Sequence, residues 1–400
     1  MLLHWRMRYH FGECVLDTGR HAFHRNAVLV PLEPQVFDLL HLLAKNTGDL
    51  VTRDTMIDEI WHGRIVSEST ISARINAARR AVGDTGAEQK VIKTIPRRGF
   101  QLVMPVDSDE EPAIEVPDCT HQVVRYAASA DNTRIAYAES GLADGPALLR
   151  AGHWLTDIEM DWHSPITRPH LEELGLENRF IRYDQRGTGM SDRQFDAPEL
   201  ADFSADLQAV ADAAGLKRFP ILAASQGVPV ALCFAAHNPE RVSKLILCGG
   251  YAQGRSVREG GFKNPEEDPM HGLIKGGWGQ PESAFMKAFS SLFVPTATKE
   301  QVDDIVAVQL ASASAETAAK LRRIIDKFDV TELLSKISAP TLVIHARHDA
   351  IHPIEQGRML ASRIAGAQFV VLESNNHIPL PQELAWRTYI STVQGFLKAN

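Results

Sequence analysis

The sequence lacks the features of a disulfide-rich, zinc-binding or membrane-spanning protein. Its 400 residues include only 4 cysteines, none in a C-x-x-C pair: Cys14, Cys119, Cys233 and Cys248. Scattered cysteines argue against a disulfide framework or a zinc site and fit a reducing compartment. No apolar run approaches the roughly 18 residues that cross a bilayer, and the first residues lack a signal-peptide core. We therefore expect a cytoplasmic protein with no membrane partner.

A strong excess of charge of one sign is also absent. The net charge is −8, with 44% hydrophobic and 23% charged residues, which is ordinary for a globular chain and argues against nucleic-acid binding along the whole length. The charge is uneven, because residues 1–105 are mildly basic and the remainder is acidic. This distribution fits a small domain that contacts phosphates joined to a larger domain that does not.

A stretch near residue 110 divides the chain. The segment VMPVDSDEEPAIEVPDC (103–119) is acidic, contains three prolines and has no helical or strand period. It predicts an extended linker over residues 106–120. Because 400 residues exceed one ordinary core, we expect two domains, at residues 1–105 and 121–400.

The N-terminal domain reads as short strands followed by three helices and a hairpin. Helices are predicted at 33–46, 52–61 and 69–82 from their apolar spacing and caps. The segment VIKTIPRRGFQLV (91–103) predicts the two-stranded hairpin. The domain is therefore expected to be α+β.

The third helix presents two kinds of surface. Ile71, Ile75, Ala78 and Val82 form an apolar stripe that should pack on the domain core. Its other faces, with the hairpin bend, carry groups that bond phosphates and base edges: Ser69, Ser72, Arg74, Asn76, Arg79, Arg80, Arg97 and Arg98. Taken alone, an amphipathic helix with a few arginines is more often a solvated surface helix.

The complete order of elements resembles the winged helix-turn-helix effector domain of OmpR/PhoB-type regulators. The resemblance covers roughly residues 8–105 and includes SESTISARINAARRAVGD and the hairpin. It implies that helix 69–82 enters the major groove of double-stranded DNA with the hairpin beside it. Many relatives carry basic residues at the positions of Asn76 and Ala77, which implies a weaker phosphate grip here. A homodimer is expected, because one winged helix reads few base pairs.

The larger region alternates strands and helices, which predicts a largely parallel sheet covered on both faces. Strands are expected at 121–127, 134–138, 147–151, 179–183, 219–224, 243–249, 340–346 and 367–373. Helices are expected at 166–175, 198–214, 227–237, 354–364 and 382–398. The mainly helical segment at about 251–335 interrupts this alternation and predicts a lid over the sheet edge that carries ligand sites.

A serine lies at one strand-to-helix turn. The segment ILAASQGVPVAL (221–232) contains Ala223-Ala224-Ser225-Gln226-Gly227, a variant of the G-x-S-x-G nucleophile elbow. Asp349 and His377 each follow a later strand, in the order that this motif requires. We expect His377 to accept the Ser225 proton and Asp349 to orient and stabilise the imidazole. The backbone N–H groups of Gln226 and Trp154 are expected to form the oxyanion hole.

Residues 121–400 resemble the α/β-hydrolase superfamily. IRYDQRGTGMSD and NPERVSKLILCGG match its motifs, and AGHWLTDIEMDWHSP resembles bacterial regulators that fuse such a domain to a DNA-binding module. Many hydrolases have His-Gly where this chain has His153-Trp154. Trp154 is therefore either a pocket wall that selects flat or apolar ligands or a core residue beneath the lid.

The chemistry of the site leaves three functions open. The first is a transcription regulator that senses a small, partly apolar ligand. The second is an active serine esterase that its DNA-binding domain localises, and the third is a regulator that hydrolyses its own signal. Fold alone does not decide between them. His345, His348, Asp349 and His352 form an alternative metal cluster, but no second cluster completes it. We expect no metal and no cofactor.

Overall fold

The computed structural model describes residues 7–18, 22–26, 28–30, 32, 34–61, 66–96, 98–110, 122–258, 268–279 and 283–399. The chain divides into two compact units, Met1–Val116 and Pro117–Asn400. The N-terminal unit contains, in chain order, β1 Met7–Phe11, β2 Cys14–Asp17, β3 Ala22–Arg25, β4 Val28–Leu29, α1 Pro34–Lys45, β5 Val51–Thr52, α2 Arg53–Trp61, α3 Glu68–Val82, β6 Ile92–Ile95, β7 Gly99–Leu102 and β8 Asp107–Glu110.

Strand β8 corrects the prediction that residues 106–120 are a linker without strand structure. It pairs antiparallel with β1, with Met7 opposite Glu110 and His10 opposite Asp107, and it extends the sheet to the order β4-β3-β2-β1-β8 in the described residues. The side chains of residues 107–109 are exposed, so this edge strand has no apolar alternation. Its pairing depends on backbone hydrogen bonds, which cannot be predicted from a hydrophobic pattern. Residues 111–120 of the predicted linker lie outside the described residues.

Helix α3 begins and ends at clear caps. Ser67 accepts a hydrogen bond from the backbone N–H of Thr70, and Gly83 closes the other end with a φ of 75°, a left-handed conformation that glycine adopts without strain. The predicted apolar stripe of α3 is buried. The helix packs against α1, and β6 pairs with β7 to form the predicted hairpin.

The C-terminal unit is built on a sheet of eight described strands in the order β16-β15-β14-β13-β11-β12-β10-β9. These strands are β9 Val123–Ala128, β10 Arg134–Gly141, β11 Ala147–Arg150, β12 Arg179–Tyr183, β13 Phe219–Ala224, β14 Val242–Cys248, β15 Thr341–Ala346 and β16 Gln368–Leu372. Among its described strands, the pairs β9–β10 and β10–β12 are antiparallel and the other pairs are parallel. The mostly parallel sheet was predicted from the alternation of strands and helices.

Helices connect and cover these strands. They are α4 Ile158–His163, α5 Thr167–Gly175, α6 Leu200–Ala213, α7 Gly227–His237, α12 Ile354–Arg363 and α13 Leu384–Lys398. Between β14 and β15 the chain forms α8 Pro269–Gly277, α9 Ala284–Phe293, α10 Lys299–Ser312 and α11 Ala315–Ile325. We call this helical insertion the lid, because α9 and α10 contribute side chains to a cavity at the carboxyl edge of the sheet. In the part of the chain that is described, no helix is long and apolar enough to cross a membrane.

Candidate ligand cavity and DNA-binding surface

Ser225 lies in the sharp turn between β13 and α7. Its φ is 50°, a left-handed conformation that costs energy for a residue with a Cβ atom. The turn also brings backbones close together, since a Cβ atom at Gly227 would lie 2.9 Å from the carbonyl oxygen of Gly152. A strained serine at a strand-to-helix turn with small neighbours is the geometry of a nucleophile elbow.

Asp349 and His377 form a close pair beyond the ends of β15 and β16. His377 Nδ1 lies 2.7 Å from Asp349 Oδ2, and Asp349 Oδ1 accepts the backbone N–H groups of Ile351 and His352. Burial opposes ionisation of the carboxyl group, but His377 and these hydrogen bonds outweigh it and lower the pKa of Asp349. An ionised Asp349 accepts a hydrogen bond from the Nδ1–H group of His377, which leaves the Nε2 atom of His377 as the acceptor nitrogen.

A histidine that the sequence analysis placed only in a discarded metal cluster lies beside the serine. Ser225 Oγ is 3.5 Å from His352 Nε2, whereas the described residues show no hydrogen bond between Ser225 and His377. The His352 and His377 rings are 5.4 Å apart between centroids. The serine and both histidines therefore form one cluster.

The neighbours of His352 determine which nitrogen of its ring carries the proton. Arg258 Nη2 lies 3.4 Å from His352 Nδ1, and a guanidinium group only donates hydrogen bonds. Burial, reinforced by the charges of His377 and Arg258, holds the pKa of His352 well below its ordinary value. A neutral ring that accepts at Nδ1 carries its proton on Nε2. His352 is thus a donor toward Ser225 Oγ, while His377 is the available acceptor.

Trp154 satisfies both alternatives left open by the sequence. Its side chain lines the cavity, and it also packs against Trp278 and Phe289 of the lid region, with ring centroids 6.3 and 5.8 Å apart. Its Nε1 atom is buried and has no hydrogen-bond partner in the described part of the chain. Gln226 is 1% exposed, and its side-chain amide also has no partner among the described residues.

The cavity next to Ser225 is mainly apolar with a few polar groups. Its polar members include His153, whose Nε2 atom lies 3.1 Å from Arg150 Nη2, together with Ser225 and His377. Its apolar wall comes from the sheet, α5 and the lid and includes Leu155, Ile166, Leu174, Phe180, Leu222, Phe293, Ile305 and Val308. Such a lining suits a small organic molecule with few polar groups. No group of metal-binding side chains is found in the described ranges.

The predicted DNA-contacting residues of α3 differ in exposure. Ser69, Ser72, Asn76 and Arg80 are exposed, as is Arg98 in the hairpin. Arg74 is half-buried, and its Nε donates to Gln35 Oε1 at 2.9 Å. Arg97 lies outside the described residues. The exposed set remains a predicted DNA contact surface.

The position of Arg79 contradicts the prediction that its side chain contacts DNA. It is 6% exposed, and its guanidinium donates to the carbonyl oxygen of Ile92 and to Thr94 Oγ1, with Nη2 at 2.8 Å from each. These bonds connect α3 to strand β6. Arg79 follows Ile75 by four residues, so it lies next to the apolar stripe rather than on the outer face. It holds the hairpin against the helix and is not available to DNA.

Two family models match the chain. The model described as transcriptional regulatory protein, C terminal, matches residues 26–102, and the model described as serine aminopeptidase, S33, matches residues 170–380. Fold and matches together define a winged-helix DNA-binding domain of the OmpR/PhoB type fused to an α/β-hydrolase domain. The second match spans just over half of the chain, and the chain belongs to the serine aminopeptidase S33 family of α/β-hydrolases.

Known proteins resemble each part separately. The transcriptional activator CadC of Escherichia coli is 32% identical over 96 residues, which are 24% of this chain and 19% of CadC. Pyrrolizixenacetamide deacetylase of Xenorhabdus hominickii is 26% identical over 270 residues, which are 66% of this chain and 95% of that enzyme. An esterase structure from Exiguobacterium antarcticum covers 69% of this chain and 100% of its own, with 24% identity and a TM-score of 0.59, which supports the fold.

Proposed function

We propose that this protein is a cytoplasmic transcription regulator that binds double-stranded DNA as a homodimer and senses a small, partly apolar carbonyl compound. The ligand binds in the cavity beside Ser225 and is hydrolysed there by Ser225, His377 and Asp349. The observation that carries this proposal is the left-handed φ of Ser225 at a cavity that His377 also lines. A strained serine beside a buried histidine–aspartate pair has the parts of an acyl-transfer site.

The proposed reaction begins with rotation of the Ser225 hydroxyl toward His377 when a ligand binds. Catalytic hydrogen bonds are often long without substrate and shorten in the complex. His377 Nε2 accepts the hydroxyl proton, and Ser225 Oγ attacks the carbonyl carbon. The backbone N–H groups of Gln226 and Trp154 stabilise the oxyanion. His377 then gives the proton to the leaving alcohol, and a water molecule that His377 deprotonates releases the acid from the acyl-Ser225 ester. His352, which donates from Nε2, stabilises negative charge that develops at Ser225 Oγ.

Hydrolysis of p-nitrophenyl acetate by the full chain tests the catalytic part. We expect turnover in the wild type and loss of about 10³-fold or more in Ser225→Ala and His377→Ala, because the members of a triad act as a unit. Ser362→Ala is a matched control, since Ser362 is an exposed serine on α12. Equal rates for Ser225→Ala and the wild type would refute catalysis at this site.

A second candidate is a serine esterase that its DNA-binding domain only localises. The complete set of Ser225, His377 and Asp349 favours it, because a sensor needs no nucleophile. The two functions differ in whether ligand binding changes DNA binding. A ligand regulates DNA binding only if it has different affinities for the DNA-competent and DNA-incompetent forms. DNA affinity that does not respond to cavity occupancy would favour the esterase. Sedimentation of the full chain tests the proposed dimer.

A further inference from the structure

We infer that the cavity recognises a carboxylate on its ligand through Arg150, so that the ligand is a short ester or related carbonyl compound with an acid group. The inference rests on the proposed function only for the carbonyl part of the ligand. The acid group is argued from the cavity itself.

Arg150 lies at the carboxyl end of a central strand. Strand β11 pairs with β12 and β13, and Arg150 is in register with Leu222 of β13. Ser225 follows Leu222 by three residues. With about 3.3 Å per residue and 4.8 Å between strands, the backbones of Arg150 and Ser225 are roughly 10 Å apart. Both side chains line the same cavity, so one small molecule can contact both.

The guanidinium group of Arg150 has no ionic partner in direct contact. Its Nη2 atom contacts His153 Nε2 at 3.1 Å, and none of the ion pairs within 4.0 Å among the described residues involves Arg150. A guanidinium has five N–H donors in a planar fork, so up to four of those of half-buried Arg150 remain after the contact with His153. Such a group matches a carboxylate in charge and in geometry.

Three other titratable groups of the cavity lining, on His170, Cys248 and His153, do not supply an anion. Burial, followed by the charge of Arg150, lowers the pKa of His170 to about 3, and burial raises the pKa of Cys248 to about 12. Both are therefore neutral. Burial also lowers the pKa of His153 well below its ordinary value, so the contact partner of Arg150 is uncharged.

Two carboxyl groups, those of Asp161 and Asp304, also line the cavity, and each interacts with groups other than Arg150. Asp304 accepts a hydrogen bond from Ser164 Oγ at 2.5 Å. Asp161 interacts with the charges of both Arg150 and Arg182. Burial nevertheless raises the pKa of Asp161. No ion pair within 4.0 Å joins Asp161 to Arg150 in the described residues. A ligand carboxylate supplies the direct contact that no described carboxyl group makes with Arg150, whereas an uncharged ligand does not.

The test compares two esters of equal length, mono-p-nitrophenyl glutarate and its methyl ester. We expect the full-length wild type to favour the acid in kcat/KM by about tenfold or more, the usual range for a charge-assisted hydrogen-bonded pair. In Arg150→Met this preference should disappear, and Arg150→Lys, which keeps the charge but not the fork, should be intermediate. Arg358→Met, on the exposed face of α12, should retain the wild-type preference.

A binding measurement separates this inference from the proposed hydrolysis. Monomethyl glutarate and dimethyl glutarate are titrated calorimetrically into full-length Ser225→Ala, with and without Arg150→Met. Acid-selective binding that Arg150→Met abolishes supports the inference even if the wild type hydrolyses neither ester. Equal binding of both compounds, or selectivity that survives Arg150→Met, overturns it while leaving hydrolysis intact.

Thermal unfolding excludes a merely structural role for Arg150. A partly buried charge without an ionic partner in direct contact destabilises a fold, so Arg150→Met should melt at or above the wild-type temperature without ligand. A clearly lower melting temperature would show that Arg150 supports the fold and would overturn the inference. If Arg150→Met fails to fold, that outcome also counts against it, and Arg150→Lys still reports the ester preference.

Discussion

Replacement of Arg79 by methionine should destabilise the N-terminal unit, and replacement of its neighbour Arg80 should not. Arg79 is buried and donates to the carbonyl oxygen of Ile92 and to Thr94 Oγ1. Arg80 is exposed. The two residues are adjacent on one helix and have the same chemistry, so they form a matched pair that separates a structural arginine from a DNA-contacting one.

The magnitude follows from the bonds that are lost. Methionine fills the space of the Arg79 stem but leaves the buried acceptor of Ile92 without a partner. Loss of a hydrogen bond that leaves a buried group unsatisfied costs about 1–3 kcal/mol. Because Thr94 also loses a bond, we expect the free energy of unfolding of this unit to fall by about 2–3 kcal/mol. For a unit of roughly 100 residues this lowers Tm by roughly 10–20 °C.

Hydrogen exchange on the full chain measures this loss locally. Peptides from α3 and from the hairpin should exchange about 30- to 150-fold faster in Arg79→Met, the factor that corresponds to 2–3 kcal/mol. The same peptides should be unchanged in Arg80→Met. DNA titrations on the same proteins should show that Arg80→Met weakens binding and reduces the slope of log affinity against log salt by about one. Unchanged exchange in Arg79→Met, with lost DNA affinity, would refute this account of Arg79.

Three further outcomes are expected. His352→Leu removes the donor near Ser225 Oγ and should lower kcat/KM for p-nitrophenyl acetate about 10- to 100-fold; an unchanged rate would exclude His352 from the reaction. Asp206→Asn removes the buried carboxylate that lies 2.6 Å from Arg186 Nη2 and leaves only the half-exposed Asp131 as an ionic partner of Arg186, so it should cost about 3 kcal/mol in urea unfolding; a cost below about 1 kcal/mol would contradict this. Because burial lowers the pKa of His170 to about 3, the unfolded chain binds an extra proton between about pH 6.5 and 3, so stability falls as the pH is lowered through this window. In His170→Phe the slope of unfolding free energy against pH should decrease by up to about 1.4 kcal/mol per pH unit, and an unchanged slope would show that His170 is not the responsible group.

The strands of the larger unit could be located from the sequence because most of them are buried on both faces. A parallel strand such as β13 or β15 is a short, nearly continuous apolar run, and the structure places these strands within one or two residues of the prediction. The lid was recognisable because it interrupts this alternation. Edge strand β8 was missed because its exposed residues carry no apolar pattern.

The candidate site was predictable in its local motif and not in its long-range contacts. Ser225 stood out because the elbow needs small neighbours at fixed spacing. His352 approaches Ser225 across 127 positions of the chain, and no periodicity reports that contact. Arg79 was misassigned for a simpler reason. Its polarity outweighed its position four residues after Ile75, although that spacing places it beside the buried stripe.

The central claim is that occupancy of the cavity beside Ser225 changes how the protein binds DNA. The most direct measurement is the affinity for the DNA upstream of its own gene, before and after a fluorophosphonate has modified Ser225, with identically treated Ser225→Ala as the control. We predict a change of fivefold or more in the wild type, about the smallest coupling typical of allosteric proteins, and none in the control. Stoichiometric modification of Ser225 without any change in affinity would contradict the account.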